Sequence, residues 1–264
     1  MRSRGSLEAV AEYAELLDSA ATRLLPQESI AHGDSRLTPA LAYTIQDSLV
    51  DLRCQRGARV TGAKLGLTST AKQRQMNVSE PIYGWLTDDM MIDVGQSLNC
   101  SDFIQPRGEP EIAFLLGRDL HGSEVGAAQV IAATEAVFPA IDVLDSRFAG
   151  YSFTLSDVIA DNASAAGYLL AGQACDPREL DLRLVGCVLE RNGELEATAC
   201  GAAVLGHPAA SVAWLIRELA RRGRGMSAGQ IVLSGALTHA VPLEPGDVLT
   251  AHFDRLGTVE LPCQ

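Results

Sequence analysis

The chain has 264 residues, 47% of them hydrophobic and 20% charged, an ordinary globular balance with enough apolar material for a sizeable core. Its formal charge of −12, from 33 acidic and 21 basic side chains, argues against binding to nucleic acid or to anionic membrane surfaces. No apolar run approaches the ~20 residues that cross a bilayer. The N-terminal pattern is acidic and amphipathic, unlike a signal peptide, so we predict a cytoplasmic protein.

The six cysteines are scattered and show none of the paired spacings typical of zinc sites or redox motifs. In a chain read as cytoplasmic, such thiols are expected to be reduced and to act as small hydrophobic side chains. They are Cys54, Cys100, Cys175, Cys187, Cys200 and Cys263.

Two helices are predicted before residue 58. Residues 6–25 carry apolar side chains at helical spacing, with Ser6 as a possible N-cap. The second helix has Thr38 at the cap, Pro39 at its first position and Gly57 just beyond its end.

The remaining pattern is typical of an α+β protein with a mixed sheet, because strands alternate with helices in one part and form hairpins in another. We therefore divide the chain into an N-terminal helical section, 1–58, and a catalytic mixed-sheet domain, 59–264, which together form one compact unit. Strands are predicted at 59–67, 111–117, 138–146 and 229–237, helices at 68–76, 124–137 and 207–223, and strand pairs at 184–201 and 244–261.

Two glutamates, Glu109 and Glu111, stand at the start of a strongly apolar segment in "QPRGEPEIAFLLG". Side chains alternate along a strand, so the two carboxylates are expected to point to the same face. Asp142 interrupts another apolar run, "AVFPAIDVL". Buried carboxylates are costly unless they are paired or bind a metal, and three of them suit a hard divalent cation such as Mg²⁺ or Mn²⁺.

Six motifs in a fixed order resemble the fumarylacetoacetate hydrolase superfamily, in its branch of 2-oxo-4-pentenoate hydratases and 4-oxalocrotonate decarboxylases. The resemblance runs from residue 38 nearly to the C-terminus, and it implies a mixed β-sheet roll of the fumarylacetoacetate hydrolase type. The motifs are "GAKLGLTSTAKQRQMNVSEPIYGWLTDDM", "PRGEPEIAFLLGRDLHG", "PAIDVLDSRF", "DVIADNASA", "AAVLGHPAASVAWL" and "AGQIVLSGALTHAVPLEPGD".

The resemblance implies that Glu109 and Glu111 are the metal ligands of the family's E-x-E motif and that Asp142 is the third. Close relatives usually carry glutamate where this chain has Asp142, whose side chain is one methylene shorter. The resemblance further implies catalytic roles for Lys64, Asp88 and Asp161. It implies substrate-binding groups at Thr68, Ser69, Arg147, Asn162, Ser164 and Thr238. For Asp88 a solvated turn, and for Asp161 and Asn162 a helix cap or turn, remain open alternatives.

The chemistry implied by the family is that of a 2-oxo acid held by a cation that accepts developing negative charge on the keto oxygen. The same site can release CO₂ from 2-oxo-3-hexenedioate or add water to 2-hydroxy-2,4-pentadienoate. Several motifs resemble the decarboxylases more closely, while "LTDDM" resembles the hydratases, so the decarboxylase is favoured and the hydratase is the alternative. Candidates for holding the second carboxylate of a dicarboxylate substrate are Lys72, Arg74 and Arg147.

Two further functions remain as alternatives. The chain could be an inactive structural partner, since a hydratase and a decarboxylase of this family associate, or a hydrolase, which usually has a histidine dyad where this chain has only His32. His207 in "GHP" is interpreted as structural because it precedes a helix that begins with proline. We also expect a homo-oligomer.

Overall fold

Seven α-helices lie in the part of the chain that the structure describes. The computed structural model describes residues 4–75 and 78–264, and the side chains of residues 4–7, 71, 72 and 75 lie outside that description. None of these helices has both the length and the apolar character of a membrane-spanning segment. The helices are α1 Arg4–Arg23, α2 Ile30–Gly33, α3 Pro39–Gln55, α4 Thr70–Gln75, α5 Ala127–Ala133, α6 Leu155–Ala160 and α7 Pro208–Ala220.

The helix caps test the expectations from the sequence directly. The Thr38 side-chain oxygen accepts a hydrogen bond from the Leu41 N–H at 3.3 Å, which confirms the predicted start of α3. The Nδ1 atom of His207 accepts from the Ala209 N–H at 2.9 Å, so this histidine caps α7 and its structural interpretation is confirmed. The prediction for Ser6 is wrong, because α1 already begins at Arg4 and Ser6 lies within its first turn.

The strands form two sheets, which with the helices confirm the α+β class. The larger sheet has the order β2-β1-β9-β4-β5-β6-β3, with β10 also paired to β4, and the smaller has the order β12-β11-β7-β8. The larger sheet is mixed, since β1/β9 and β3/β6 are parallel and its other pairs are antiparallel. The strands are β1 Val60–Gly66, β2 Ile82–Thr87, β3 Met91–Ile92, β4 Arg107–Leu116, β5 Thr134–Leu144, β6 Ala165–Leu170, β7 Gly186–Arg191, β8 Glu194–Cys200, β9 Ile231–Leu233, β10 Val241–Pro242, β11 Val248–Phe253 and β12 Gly257–Pro262.

The smaller sheet contains both predicted strand pairs. Asn192 and Gly193 join β7 to β8 with φ values of 57° and 77°, as a two-residue type I′ turn requires. The sheet is antiparallel throughout, so each strand returns beside its neighbour.

The predicted helix at 124–137 is wrong at its C-terminal end. Helix α5 stops at Ala133, and Thr134, Ala136 and Val137 pair with Leu116, Leu115 and Phe114 of β4. The local pattern of alanines and apolar residues fits a helix, but pairing with a fully buried strand determines the structure here. The pairing extends β5 to 11 residues and fixes the register that brings Asp142 opposite Glu109.

A fully buried side chain of α3 is among the groups that join the N-terminal helices to the sheet. Gln46 of α3 is fully buried, and its Nε2 donates to the carbonyl of Tyr83 in β2 at 2.8 Å and to that of Ile159 in α6 at 2.9 Å. The helical section thus packs directly on β2 and α6. The boundary between 58 and 59 stays a prediction.

One face of the larger sheet encloses a small apolar cluster. Leu86, Ala113, Ala140, Tyr168 and Leu233 are all buried on this face. Because side chains alternate along a strand, Glu111 and Glu109 lie on the same face of β4 as Ala113. Asp142 lies on the same face of β5 as Ala140. The same face therefore carries the acidic residues toward one end of the roll and apolar side chains toward the other.

Candidate metal centre

Three buried carboxylates meet on this face. Glu109 lies directly opposite Asp142 in the β4/β5 register, and Glu111 is two residues further along β4. One ligand oxygen from each of the three lies within 4.8 Å of the others. Glu109 is 5% exposed and the other two are fully buried. Among the described residues, this is the group of acidic, histidine or cysteine side chains placed closely enough to hold a metal ion.

An ammonium group lies against this cluster. Lys64 of β1 is 2% exposed, and its Nζ lies 2.6 Å from Asp142 Oδ2. Burial by itself lowers the pKa of Lys64, but the carboxylates of Asp142, Glu111 and Glu109 outweigh it, and the pKa is raised. Burial, followed by the charge of Asp142, holds the pKa of Glu111 well above its ordinary value.

The donor set fits a hard divalent cation. The Oε2 atom of Glu111 accepts a hydrogen bond from the Gly235 N–H at 2.6 Å, whereas the buried Oε1 has no hydrogen-bond partner among the described residues. A buried carboxylate oxygen without a hydrogen-bond partner destabilises the fold unless it binds a cation. The ligands are all carboxylate oxygens, which favours Mg²⁺ or Mn²⁺ over zinc or copper.

The backbone at Gly235 requires glycine. Its φ is +109°, and a Cβ there would lie 2.1 Å from Thr68 Oγ1. Thr68 is buried directly beside it. This close approach brings Thr68 against the residue whose N–H binds Glu111, and a substrate-binding role for Thr68 stays a prediction.

Replacing Gly235 with alanine is expected to destabilise the metal-free protein by about 2–5 kcal/mol, from the strained φ and the steric overlap with Thr68. Urea unfolding measures this loss, and calorimetric titration should also show weaker Mg²⁺ binding. Gly229→Ala is the matched control, since Gly229 has φ +83° but nothing within 4 Å of the added Cβ. Equal losses in the two variants would show that the contact with Thr68 contributes nothing.

Arg147 and Asp161, both predicted site residues, form a buried ion pair. The Nε of Arg147 donates to Asp161 Oδ1, and its NH1 donates to the carbonyl of Asp145 at 2.6 Å. Burial raises the pKa of Asp161 to about 6, against the opposing effect of Arg147. Ser164 Oγ also donates to Asp161, at 3.3 Å. Because protein oxygens already occupy the guanidinium of Arg147, the geometry favours a structural role for it.

The segment after Asp161 has an unusual backbone. Asn162, Ala163 and Ser164 all have left-handed φ values, of 50°, 52° and 56°. Left-handed helical geometry costs about 1–2 kcal/mol per residue and is rarely sustained over several residues. The turn persists because neighbouring contacts hold it, and the Ala163 carbonyl in it accepts a hydrogen bond from Lys64 Nζ at 3.3 Å.

Asp88 is not brought to the cluster. It is exposed, and its Oδ1 accepts from the Arg59 N–H at 2.8 Å just before β1 begins. Thr87 pairs with Val60, whereas Lys64 pairs with Gly84, so Asp88 lies beyond the opposite end of β1. Four residues of strand correspond to about 13 Å. The geometry fits the alternative of a solvated turn.

Ser69 and Thr238 lie on segments that border the site. Ser69 is half-buried directly before α4. Thr238 is half-buried on the connection from β9 to β10, and its hydroxyl donates to the carbonyl of His239 at 3.1 Å. The Leu237 N–H donates to the carbonyl of Pro110 at 3.0 Å, which holds this connection along the acidic end of β4.

Sequence reasoning missed the main-chain groups of the site. The Gly235 N–H and the Ala163 carbonyl contact the acidic cluster and its lysine. The glycine in "LSGAL" was an available signal, since a glycine at the end of a strand often marks a close backbone approach. The sequence of residues 162–164, Asn-Ala-Ser, does not indicate three consecutive left-handed residues.

Comparisons with known proteins show the family of the chain. Residues 56–263 match the family described as fumarylacetoacetate (FAA) hydrolase C-terminal. The chain is 44% identical over 223 residues to a 4-oxalocrotonate decarboxylase of Pseudomonas sp. (strain CF600), covering 84% of each chain. It is 42% identical over 218 residues to a 2-keto-4-pentenoate hydratase of Paraburkholderia xenovorans (strain LB400), covering 83% of this chain and 81% of that one. A solved 4-oxalocrotonate decarboxylase from Pseudomonas putida G7, complexed with magnesium and adipate, superposes with a TM-score of 0.95 at 38% identity, over 100% of this chain and 99% of that one.

Proposed function

Because this chain belongs to the fumarylacetoacetate hydrolase family, we propose that it is a metal-dependent lyase that decarboxylates 2-oxo-3-hexenedioate to 2-hydroxy-2,4-pentadienoate. The observation that carries the proposal is the buried cluster of Glu109, Glu111 and Asp142 with Lys64 against it. We expect the cation to be Mg²⁺ or Mn²⁺.

The relatives support the class of substrate. Both the decarboxylase and the hydratase that the chain resembles are named for 2-oxo acids. The solved decarboxylase holds magnesium together with adipate, which is a six-carbon dicarboxylate like 2-oxo-3-hexenedioate. A dicarboxylate of this length is therefore the substrate that we favour.

The three carboxylates would hold the cation, which when bound supplies Lewis acidity toward negative charge developing on the keto oxygen of a 2-oxo acid. Lys64 would keep its ammonium beside Asp142 and place a fixed positive charge within the buried site. Burial of the cluster excludes water, which strengthens these electrostatic contacts.

Hydration of 2-hydroxy-2,4-pentadienoate is the second candidate function. It is supported by the 42% identity to the hydratase, and the metal ligands would serve either reaction. The two activities differ in what the site must accept at the distal end of the substrate, because only the decarboxylase substrate has a second carboxylate.

The test is CO₂ release from 2-oxo-3-hexenedioate by purified protein with Mg²⁺, with and without a chelator. We expect release that the chelator abolishes and that added Mg²⁺ restores. Water addition to 2-hydroxy-2,4-pentadienoate without CO₂ release would favour the hydratase. No turnover of either substrate would contradict both activities and leave the inactive structural partner.

The distal carboxylate of a dicarboxylate substrate needs a cationic partner, and Lys72 is one of the candidates from the sequence. Of the 21 basic residues, 19 are arginine, and the two lysines, Lys64 and Lys72, lie only eight positions apart. A compact ammonium differs from a planar guanidinium in its contacts, so arginine does not replace lysine at such sites. Lys72 lies in α4, which begins directly after Ser69. Its side chain is outside the described part of the chain. We propose that Lys72 binds the second carboxylate.

Replacing Lys72 with methionine is expected to weaken binding of 2-oxoadipate by about 10–100-fold, the loss of one hydrogen bond to a charged group. Binding of 2-oxohexanoate, which has a methyl group in place of the distal carboxylate, should change less than about twofold. Calorimetric titration of the Mg²⁺-loaded protein measures both. Arg74→Met is the comparison, since Arg74 is the other candidate on this helix and is exposed. A selective loss of 2-oxoadipate binding in Arg74→Met and not in Lys72→Met would assign the carboxylate to Arg74. An equal loss for the two ligands would refute this role for Lys72.

The family resemblance also supports the wider parts of the proposal. We place the enzyme in the cytoplasm, in the catabolism of aromatic compounds by meta-cleavage, as a homo-oligomer. A hydratase would consume its product, and association with such a hydratase is part of the proposal.

A further inference from the structure

The left-handed turn at Asn162, Ala163 and Ser164 is fastened to β2 by a single side chain. Asn162 Oδ1 accepts from the Trp85 N–H at 2.7 Å, and its Nδ2 donates to the Trp85 carbonyl at 2.9 Å. Asn162 is buried, so both bonds lie away from solvent. These two bonds give both the N–H and the carbonyl of Trp85 a partner, as a neighbouring strand would.

The neighbouring glycine allows this close approach. A Cβ at Gly84 would lie 2.3 Å from the carbonyl oxygen of Asn162. Gly84 is also the residue directly opposite Lys64 in the β1/β2 register. The turn therefore packs on β2 at the point where β2 faces the lysine.

Ala163, the residue after Asn162, connects this turn to Lys64. Lys64 Nζ donates to the Ala163 carbonyl at 3.3 Å. The same Nζ lies 2.6 Å from Asp142 Oδ2. Two acceptors from different elements fix the direction of an ammonium better than one. The Asn162 clamp holds the Ala163 carbonyl from the β2 side, while the Asp145 N–H, which donates to the Ser164 carbonyl at 2.9 Å, holds the turn from the other side.

We infer that Asn162 is a positioning residue, which aligns Lys64 through the Ala163 carbonyl and does not itself contact substrate. The inference rests on the proposed function and changes the role expected from the sequence, where Asn162 was a substrate-binding group. The competing explanation is that asparagine stands here only because it tolerates a left-handed backbone.

Asn162→Gly separates these explanations, since glycine adopts left-handed φ at no cost but makes no clamp. We expect kcat to fall by about 10–100-fold, as for other groups that orient an active-site residue, with KM changed less than about threefold. A kcat equal to that of the wild type would overturn the inference.

A double-mutant cycle tests whether the effect passes through Lys64. In a Lys64→Met background, Asn162→Gly should lower the residual rate by less than about twofold, because the residue it aligns is gone. Independent, multiplying losses in the two variants would overturn the inference.

A spectroscopic measurement tests the inference without turnover. The chain has only two lysines, so selective ¹³Cε-lysine labelling gives two side-chain signals, and Lys64→Met identifies the signal of Lys64. We expect Asn162→Gly to shift the Lys64 signal, and an unchanged signal would contradict the inference. Because no substrate is needed, this result stands even if the wild type turns over neither 2-oxo-3-hexenedioate nor 2-hydroxy-2,4-pentadienoate.

Discussion

Replacing Glu111 with glutamine is expected to lower metal-dependent turnover by at least about 100-fold, and Mg²⁺ affinity by a similar factor. Loss of a group that merely orients a metal ligand costs 10–100-fold, and a direct ligand should cost no less. Glutamine keeps the size of the side chain and can still accept the Gly235 N–H, so the change is confined to charge. Calorimetric titration and the CO₂ assay measure the two effects.

The same variant is expected to be at least as stable as the wild type when no metal is present. Glu111 is fully buried near Asp142 and Glu109, and removing one of three neighbouring charges relieves their repulsion. Thermal unfolding in chelator therefore separates lost ligation from misfolding. Glu135→Gln, at an exposed position of β5, is the control and should keep full activity. Wild-type metal affinity in Glu111→Gln would show that the carboxylate is not a ligand.

Replacing Lys64 with methionine is expected to destabilise the metal-free protein by about 3–5 kcal/mol, the cost of removing one partner of a buried ion pair. The ammonium contacts Asp142 at 2.6 Å, and its loss leaves more uncompensated negative charge inside the roll. Turnover should also fall by at least about 100-fold if the ammonium stabilises charge in the reaction. Urea unfolding and the CO₂ assay measure these effects.

Added Mg²⁺ should recover part of the stability of Lys64→Met, because the cation compensates the same carboxylates. Lys64→Arg keeps the charge and serves as the comparison. It should retain more stability than methionine but little activity, since a planar guanidinium does not reproduce the contacts of a buried ammonium. Full activity in Lys64→Met would exclude a catalytic role for this lysine.

Local patterns predicted the parts of the fold that local chemistry determines. The cap at Thr38 and the turn at Asn192 depend on neighbouring residues, and both predictions are confirmed. The E-x-E pair could be predicted to share a face because strand alternation is a local rule, and Glu109 and Glu111 do so in β4.

Long-range pairing explains what local patterns did not predict. Residues 134–137 join β5 because β4 lies beside them, which the spacing of their own side chains does not reveal. The ion pair between Arg147 and Asp161 likewise depends on how two loops meet. The backbone of Asn162 and its neighbours is left-handed because β2 holds it there. Roles assigned residue by residue from a family motif do not distinguish contact with substrate from support of a neighbour.

The most direct test is calorimetric titration of Mn²⁺ into chelator-treated protein, with and without 2-oxoadipate. We predict one Mn²⁺ per chain, tighter binding when 2-oxoadipate is present, and the reciprocal effect of the metal on the ligand. Glu111→Gln should remove both effects. Mn²⁺ binding that Glu111→Gln leaves unchanged, or that does not respond to the 2-oxo acid, would contradict a shared site for metal and substrate at this cluster.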